Sequence, residues 1–580
     1  MSVDASVLAR SSLFAGLGLA ELELVAERAR PREFQAGETL CLAGEPSERC
    51  WVITAGLVDV VAHGEEQTSG EILARHRKGA TVGEVGAILG EPQQESLLAS
   101  IPTSALELDA DALGELVQRF PQILVNVLRT LHGGLIHARA RSVERERGET
   151  VALAIGPSLR ATQVPLIAAA RAATPRSVIA LDRQLSFAGA LTAADDLVSA
   201  HATVLLPTPL DSDLLAAHLR EADRVVALVG DAEEARALGA LRRTAQGQQE
   251  VEVILAGAQA EQGSRAWDAE APLRAIRTCA LGDDGTLAAA DLAWLARHLT
   301  RTKLGLALGA GGAKGYAHIG VLQVLEQAGY TIDCVAGSSI GAIVAAYLAL
   351  GADAARIDAT LRGAFDAEAV AEIFKTSLAG RGGGLELMTR LLRESTEEKT
   401  FADASIPLTV MAVDLTERTP APLRSGPLWQ ALLAATALAG VFPPQERDGH
   451  RLVDGLALVP VPTGAVIQDG ADVTVSVNLI GRHTLASWPG GPPPEPPAEG
   501  RRRGVLDNLL EVMDLSQLSE SERNAELADV VVTPRFGPGE WRDFHLADLF
   551  LAAGREATRG QLPTLASLAL PAGAPGQTNR

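Results

Sequence analysis

The chain has 580 residues, a formal net charge of −21 and a 47% hydrophobic fraction, and aromatics make up only 3% of it. That length predicts about three domains, with cores built mostly from aliphatic side chains. The acidity argues against nucleic acid as a partner, because phosphate backbones are bound by basic faces.

The four cysteines, Cys41, Cys50, Cys279 and Cys334, are scattered. They form no C-x-x-C pair and no Cys/His cluster, so neither a disulfide framework nor a metal site is expected, and no cofactor is implied. The first residues lack the apolar stretch of a secretory leader. Nowhere do about 18 apolar residues follow one another, as a membrane-spanning helix requires. A cytoplasmic protein is expected, with peripheral contact to a membrane left open.

Residues 1–145 begin with a short helix at 19–28. Short alternating segments then follow between glycine turns, at 37–42, 51–53, 57–61 and 100–109. Many short strands separated by turns predict a β-barrel or jelly roll. Helical periodicity returns over 111–135.

Three segments carry a resemblance here: Phe34-x-x-Gly37-Glu38, Trp51-Val52-Ile53-x-x-Gly56-x-Val58, and Gly83-Glu84-Val85-Gly86-Ala87-Ile88-Leu89. Together they resemble the cyclic nucleotide-binding domain, whose phosphate-binding cassette is the last of them. The resemblance implies that Glu84 would hold a ribose hydroxyl. It also implies an Arg after Pro92, but Gln93 stands there, followed by Gln94 and Glu95. A neutral amide does not replace a bidentate guanidinium against a phosphate, and Glu95 would repel one. Cyclic nucleotide is therefore a doubtful ligand, and a structural or protein-contact role is the favoured reading of this domain.

Residues 146–302 open after a charged run, 139–149. Apolar segments at 151–155, 177–181, 202–206, 224–229 and 251–255 alternate with helical stretches at 162–173, 214–221 and 232–243. That rhythm predicts an α/β domain with a parallel sheet and helices on both faces. Asp182 and Asp231 follow strands, where an Asp more often caps a helix than catalyses.

Residues 303–570 hold the chemistry. Leu304-Gly305-Leu306-Ala307-Leu308 reads as a strand entering a glycine-rich turn, Gly309 to Gly315. The turn is not a P-loop, because Lys314 precedes the second glycine and no Ser or Thr follows it. It lacks the third glycine and the acidic partner of a dinucleotide fingerprint. One β-α-β unit later comes Gly337-Ser338-Ser339-Ile340-Gly341, a G-x-S-x-G between an apolar strand and a helix. That is the context of a nucleophile elbow, with Ser339 central and Gly337 and Gly341 permitting the tight turn. Ser339 needs a base. His450, His483 and His545 follow it, but none stands where an acid–histidine pair would be expected. The best acid is Asp454, in Leu452-Val453-Asp454-Gly455. A partly buried carboxylate with a raised pKa can take the serine proton itself.

Four elements in order are similar to the patatin-like phospholipases: the loop Ala310 to Gly315, GSSIG at 337–341, Ala434-Ala435-Thr436-Ala437…Val441-Phe442-Pro443-Pro444, and Leu452-Val453-Asp454-Gly455. The resemblance implies an α/β/α sandwich, a Ser339/Asp454 dyad without histidine, and hydrolysis of lipid acyl esters without a metal. It implies an oxyanion hole from the main chain of Gly311, Gly312, Ala313 and Lys314. Two departures are Ala310, where the loop's first glycine is expected, and Leu456 after Asp-Gly. With the domains before it, the chain resembles bacterial relatives of neuropathy target esterase. That resemblance implies a phospholipid or lysophospholipid substrate. Two rival readings remain, a cyclic-nucleotide-responsive sensor with a hydrolase-like output and a general carboxylesterase or thioesterase on the same scaffold.

Beyond the core, 487–503 is a Pro/Gly-rich loop ending in three arginines, and 505–518 has an amphipathic period. A last strand is expected at 528–532, closing helices at 543–562, and a disordered tail at 571–580.

Overall fold

The computed structural model describes residues 8–61, 72–126, 149–181, 203–257, 273–481, 505–536 and 541–571, with short interruptions inside these ranges. The sequence features at 127–148, at Asp182, in the Pro-rich loop with its arginines, at His483 and in the tail beyond 571 lie outside the described residues. Two compact units divide the chain, Met1–Ala140 and Arg141–Arg580.

The first unit stacks two four-stranded antiparallel sheets. One orders Arg30–Phe34, Thr103–Asp109, Arg49–Ala55 and Thr81–Val82. The other orders Thr39–Cys41, Ser96–Ala99, Leu57–Val61 and Ile72–Arg77. Alternation puts Trp51, Ile53, Val58, Leu97 and Ala105 inward, which is why the period-2 pattern is readable. The helix Leu19–Arg28 forms where its apolar period indicates.

The second unit contains two sheets. The first has six strands, all parallel, in the order Val178–Ala180, Thr203–Pro209, Glu149–Ile155, Arg224–Val229, Val251–Ala256 and Leu273–Cys279. Its central strands are buried along their length, as a sheet covered on both faces requires. The sixth strand is a finding beyond the sequence reading. It is a half-exposed edge carrying Arg274 and Arg277, so it lacks the continuous apolar run of a central strand. At the carboxyl ends, the Asp231 carboxylate accepts the Glu233 and Glu234 N–H groups at 2.8 Å, the helix cap expected of it.

The second sheet has eight strands. Its main path runs Gln445–Arg447, His450–Asp454, Leu408–Asp414, Ile332–Ser338, Leu304–Leu308, Val473–Val477 and Val530–Val532, with Thr419–Leu423 also paired to Leu408–Asp414. The core strands are parallel, and His450–Asp454 joins antiparallel, setting Asp454 opposite Ala412. Helices Tyr316–Gln327, Ile340–Ala349 and Ala547–Ala566 bury their apolar faces against it. The two sheets are tied by Arg297, whose guanidinium donates to both Asp333 oxygens at 2.7 and 2.9 Å, and by Arg301 to Glu149 at 2.8 Å. Among the described residues no helix is long and apolar enough to cross a membrane.

Candidate active site

The strand Ile332–Ser338 and the helix Ile340–Ala349 are consecutive, and Ser339 is the single residue between them. Its φ of +54° and ψ of −127° are an unfavourable conformation for any side chain larger than glycine's. The turn closes only because its neighbours are small. A Cβ on Gly337 would lie 2.2 Å from the Gly341 carbonyl oxygen, and one on Gly341 would lie 2.2 Å from that of Leu308. Ser338 is fully buried, whereas Ser339 lines a cavity.

Asp454 ends the strand His450–Asp454 and is 4% exposed. The Ser339 hydroxyl donates to its Oδ2 at 2.8 Å, and the Leu456 N–H donates to its Oδ1 at 2.9 Å. Burial pushes the carboxyl up to about 6, with the Leu456 and Ser339 hydrogen bonds pulling back. Among the described residues no histidine bonds to either side chain. His450 instead meets Asp414, Nδ1 to Oδ2, at 2.6 Å.

The glycine turn lies beside the elbow. Its entry is fixed by three bonds: Gly309 N–H to the Val477 carbonyl, Ala310 N–H to that of Pro460, and His318 Nε2 to the Gly309 carbonyl at 2.8 Å. His318 is fully buried, and burial pushes its pKa down to about 4, so the neutral ring donates here. Ala310 thus uses its N–H on the scaffold, and replacing glycine there removes no donor from the cavity.

The four main-chain donors of the sequence reading separate in space. The Ala313 N–H donates to the Trp541 carbonyl at 2.5 Å and the Lys314 N–H to that of Gly311 at 3.2 Å. Both N–H groups are engaged by main-chain carbonyls. Gly311 and Gly312 line the cavity beside Ser339 and Asp454.

Around these polar groups the cavity is apolar. Ile340 and Ile343 come from the elbow helix, and Phe365, Val370, Ile373 and Met388 from the helices at 354–395 and their junctions. Leu456, packed with Ala310 and Ile480, forms another wall. The cavity has a volume of about 130 Å³ and is open to solvent on one side. Lys314 also lines it, with its ammonium 5.8 Å from the centre of the Phe536 ring. The sequence reading missed Trp541 and Phe544, which complete the lining. Their signal was the clustering of Phe536, Trp541 and Phe544 in a chain poor in aromatics.

In the first unit, Glu84 begins the short helix Glu84–Leu89 and is 8% exposed. Burial pushes its carboxyl up to about 7. Gln93 is held by main-chain bonds to Gly44 and Glu45, and its side-chain amide donates to the Gly83 carbonyl at 3.4 Å.

This fold and this site define the class. Residues 306–467 match the patatin-like phospholipase family and residues 31–120 the cyclic nucleotide-binding domain. The chain thus carries a segment matching the patatin-like phospholipases at 306–467, preceded at 31–120 by one matching the cyclic nucleotide-binding domain. It is similar to an uncharacterized NTE family protein of Mycobacterium tuberculosis at 36% identity over 182 residues, 31% of this chain and 49% of that one. A second such protein of the same organism is 24% identical over 568 residues, 93% of each chain. The chain thus spans about half the length of the first relatives it matches and nearly all of the second. Among solved structures, a cyclic nucleotide-binding domain from Methylobacillus flagellatus is 26% identical, covering 24% of this chain and 77% of that one, with a TM-score of 0.20.

Proposed function

We propose that this protein hydrolyses fatty-acyl esters of phospholipids or lysophospholipids through a Ser339–Asp454 dyad. The observation that carries the reading is the 2.8 Å bond from the Ser339 hydroxyl to a buried carboxylate, inside an apolar cavity. Ser339 Oγ attacks the ester carbonyl carbon as its proton passes to Asp454 Oδ2. The N–H groups of Gly311 and Gly312 face the carbonyl oxygen as it gains charge, and each such donor is typically worth about 3–4 kcal/mol. The tetrahedral intermediate collapses with cleavage of the ester C–O bond, and Asp454 returns the proton to the departing alkoxide. Asp454 then takes a proton from water, whose oxygen attacks the acyl-serine; the bond to Ser339 Oγ breaks as Asp454 returns that proton to it, and the fatty acid is released.

The apolar walls suit an alkyl chain, and Lys314 at the same cavity suits an anionic head group. A panel of lysophospholipid, diacyl phospholipid, short-chain esters and thioesters tests the substrate class. Ser339→Ala is expected to abolish turnover of all of them with unchanged folding. Wild-type hydrolysis by that variant would sink the proposal.

A further inference from the structure

The oxyanion loop is held at two ends by different parts of the chain. Its entry, Gly309–Ala310, is bonded to the sheet and to His318. Its far end leans on a segment more than 200 residues later. There the Ala313 N–H donates to the Trp541 carbonyl, and Lys314 sits over the Phe536 ring. The donors Gly311 and Gly312 lie between these two anchors. The contact at the far end is close: a Cβ on Gly312, whose φ is +57°, would fall 2.3 Å from the Trp541 carbonyl oxygen and 3.2 Å from its Cβ.

Trp541 also lines the cavity, together with Phe544 three residues on. It therefore touches both the loop that faces the developing oxyanion and the space where the acyl chain lies. Trp541 is only half-buried, so a chain entering the cavity completes its packing and removes further apolar surface from water.

We propose that Trp541 is a positioning residue that couples occupancy of the acyl cavity to placement of the oxyanion loop. An acyl chain packed against Trp541 holds its main chain in place, and the Ala313 bond passes that restraint to Gly311 and Gly312. This rests on the reading of Ser339 as the nucleophile. Preorganised donors act only when aimed at the oxyanion position, so small displacements cost rate.

The test uses the full-length protein, one acetyl ester, one long-chain ester and the variants Trp541→Ala, Trp541→Phe and Ser339→Ala. Trp541→Ala is expected to lower kcat about tenfold or more on the long-chain ester and to raise its KM, and to change kcat much less on the acetyl ester, which puts no chain against Trp541. Trp541→Phe should restore most of kcat, and the melting temperature should stay near the wild type. A single-chain ether phospholipid with a brominated chain supplies a spectroscopic readout, because bromine quenches indole emission on contact. Quenching is expected in the wild-type protein and should be largely lost in Trp541→Phe, despite five remaining tryptophans among the six of the chain. A Trp541→Ala kcat equal to wild type on the long-chain ester, an equal loss of kcat on both esters, or quenching independent of Trp541, overturns the proposal. Failure of the nucleophile reading shows separately, as activity of Ser339→Ala on the same esters.

Discussion

Ser339 and Asp454 are 115 positions apart in sequence, yet the serine hydroxyl reaches the aspartate Oδ2 at 2.8 Å. The carboxylate is out of water, with its other oxygen held by the Leu456 N–H. That seclusion makes it a better base than an exposed aspartate, because burial disfavours the charged form.

The first consequence is a pH profile. With the carboxyl pushed up to about 6, the base is protonated below that pH and ionised above it. For a neutral ester, kcat/KM should therefore rise through about pH 6 and then level off. A profile already level at pH 4.5, as an aspartate at its ordinary value of 3.8 would give, would contradict the raised Asp454 pKa. Rates measured from pH 4.5 to 9 at constant ionic strength decide it.

The same shift acts on stability with the opposite preference. The folded pKa lies above the ordinary value of 3.8, so between about pH 4 and 6 the folded state binds more protons than the unfolded one. Stability should fall as pH rises through that window and stay lower above it, on the order of 3 kcal/mol for this group. Asp454→Asn removes the ionisation and retains an oxygen for the Leu456 N–H. It should melt no lower than wild type at pH 8 while losing about a thousandfold or more in kcat. A variant that both melts much lower and loses activity would assign Asp454 a structural role instead.

Much of this was legible in the sequence, for identifiable reasons. The Gly337 and Gly341 spacing is forced because a Cβ at either would fall 2.2 Å from a carbonyl oxygen, so it leaves a local motif. The buried strands at 151–155, 225–229 and 304–308 leave unbroken apolar runs. The edge strand Leu273–Cys279 leaves none, because polar residues, Arg274, Arg277 and Thr278, interrupt it on a half-exposed edge. Helices such as Gly383–Ser395 have an amphipathic period, but that period looks the same whether the face meets a core or a ligand. The donors could not be separated either. The Ala313 N–H is taken up by the Trp541 carbonyl, and no local pattern reports a contact at that separation.

Cyclic nucleotide binding gives a third prediction. The position where a phosphate-binding Arg would stand is Gln93, whose amide turns to the Gly83 carbonyl. Neither this amide nor the buried Glu84 offers the charge-assisted pairing that a cyclic phosphate needs. Calorimetry with cyclic AMP and cyclic GMP on the wild-type protein is expected to show no saturable heat up to millimolar nucleotide. Gln93→Arg should restore measurable binding if the rest of the cassette is intact. Micromolar binding by the wild type would contradict this account.

The last prediction concerns the joint between the two sheets of the second unit. Arg297 lies on the helix Ala289–Leu299, and Asp333 on the strand that runs into Ser339. The aspartate is 4% exposed and accepts both guanidinium bonds as well as the Leu304 N–H at 2.9 Å. Arg297→Met leaves that carboxylate buried with only the Leu304 bond, and such orphaned charges cost about 3–5 kcal/mol. The melting temperature should drop by several degrees. Adding Asp333→Asn removes the stranded charge and keeps an oxygen for the Leu304 N–H, so the double variant should recover part of the loss although the ion pair is gone. If Arg297→Met melts like wild type, the pair contributes nothing to holding the catalytic strand. If the double variant is the less stable of the two, the pair's net attraction, and not the unpaired charge, is what matters.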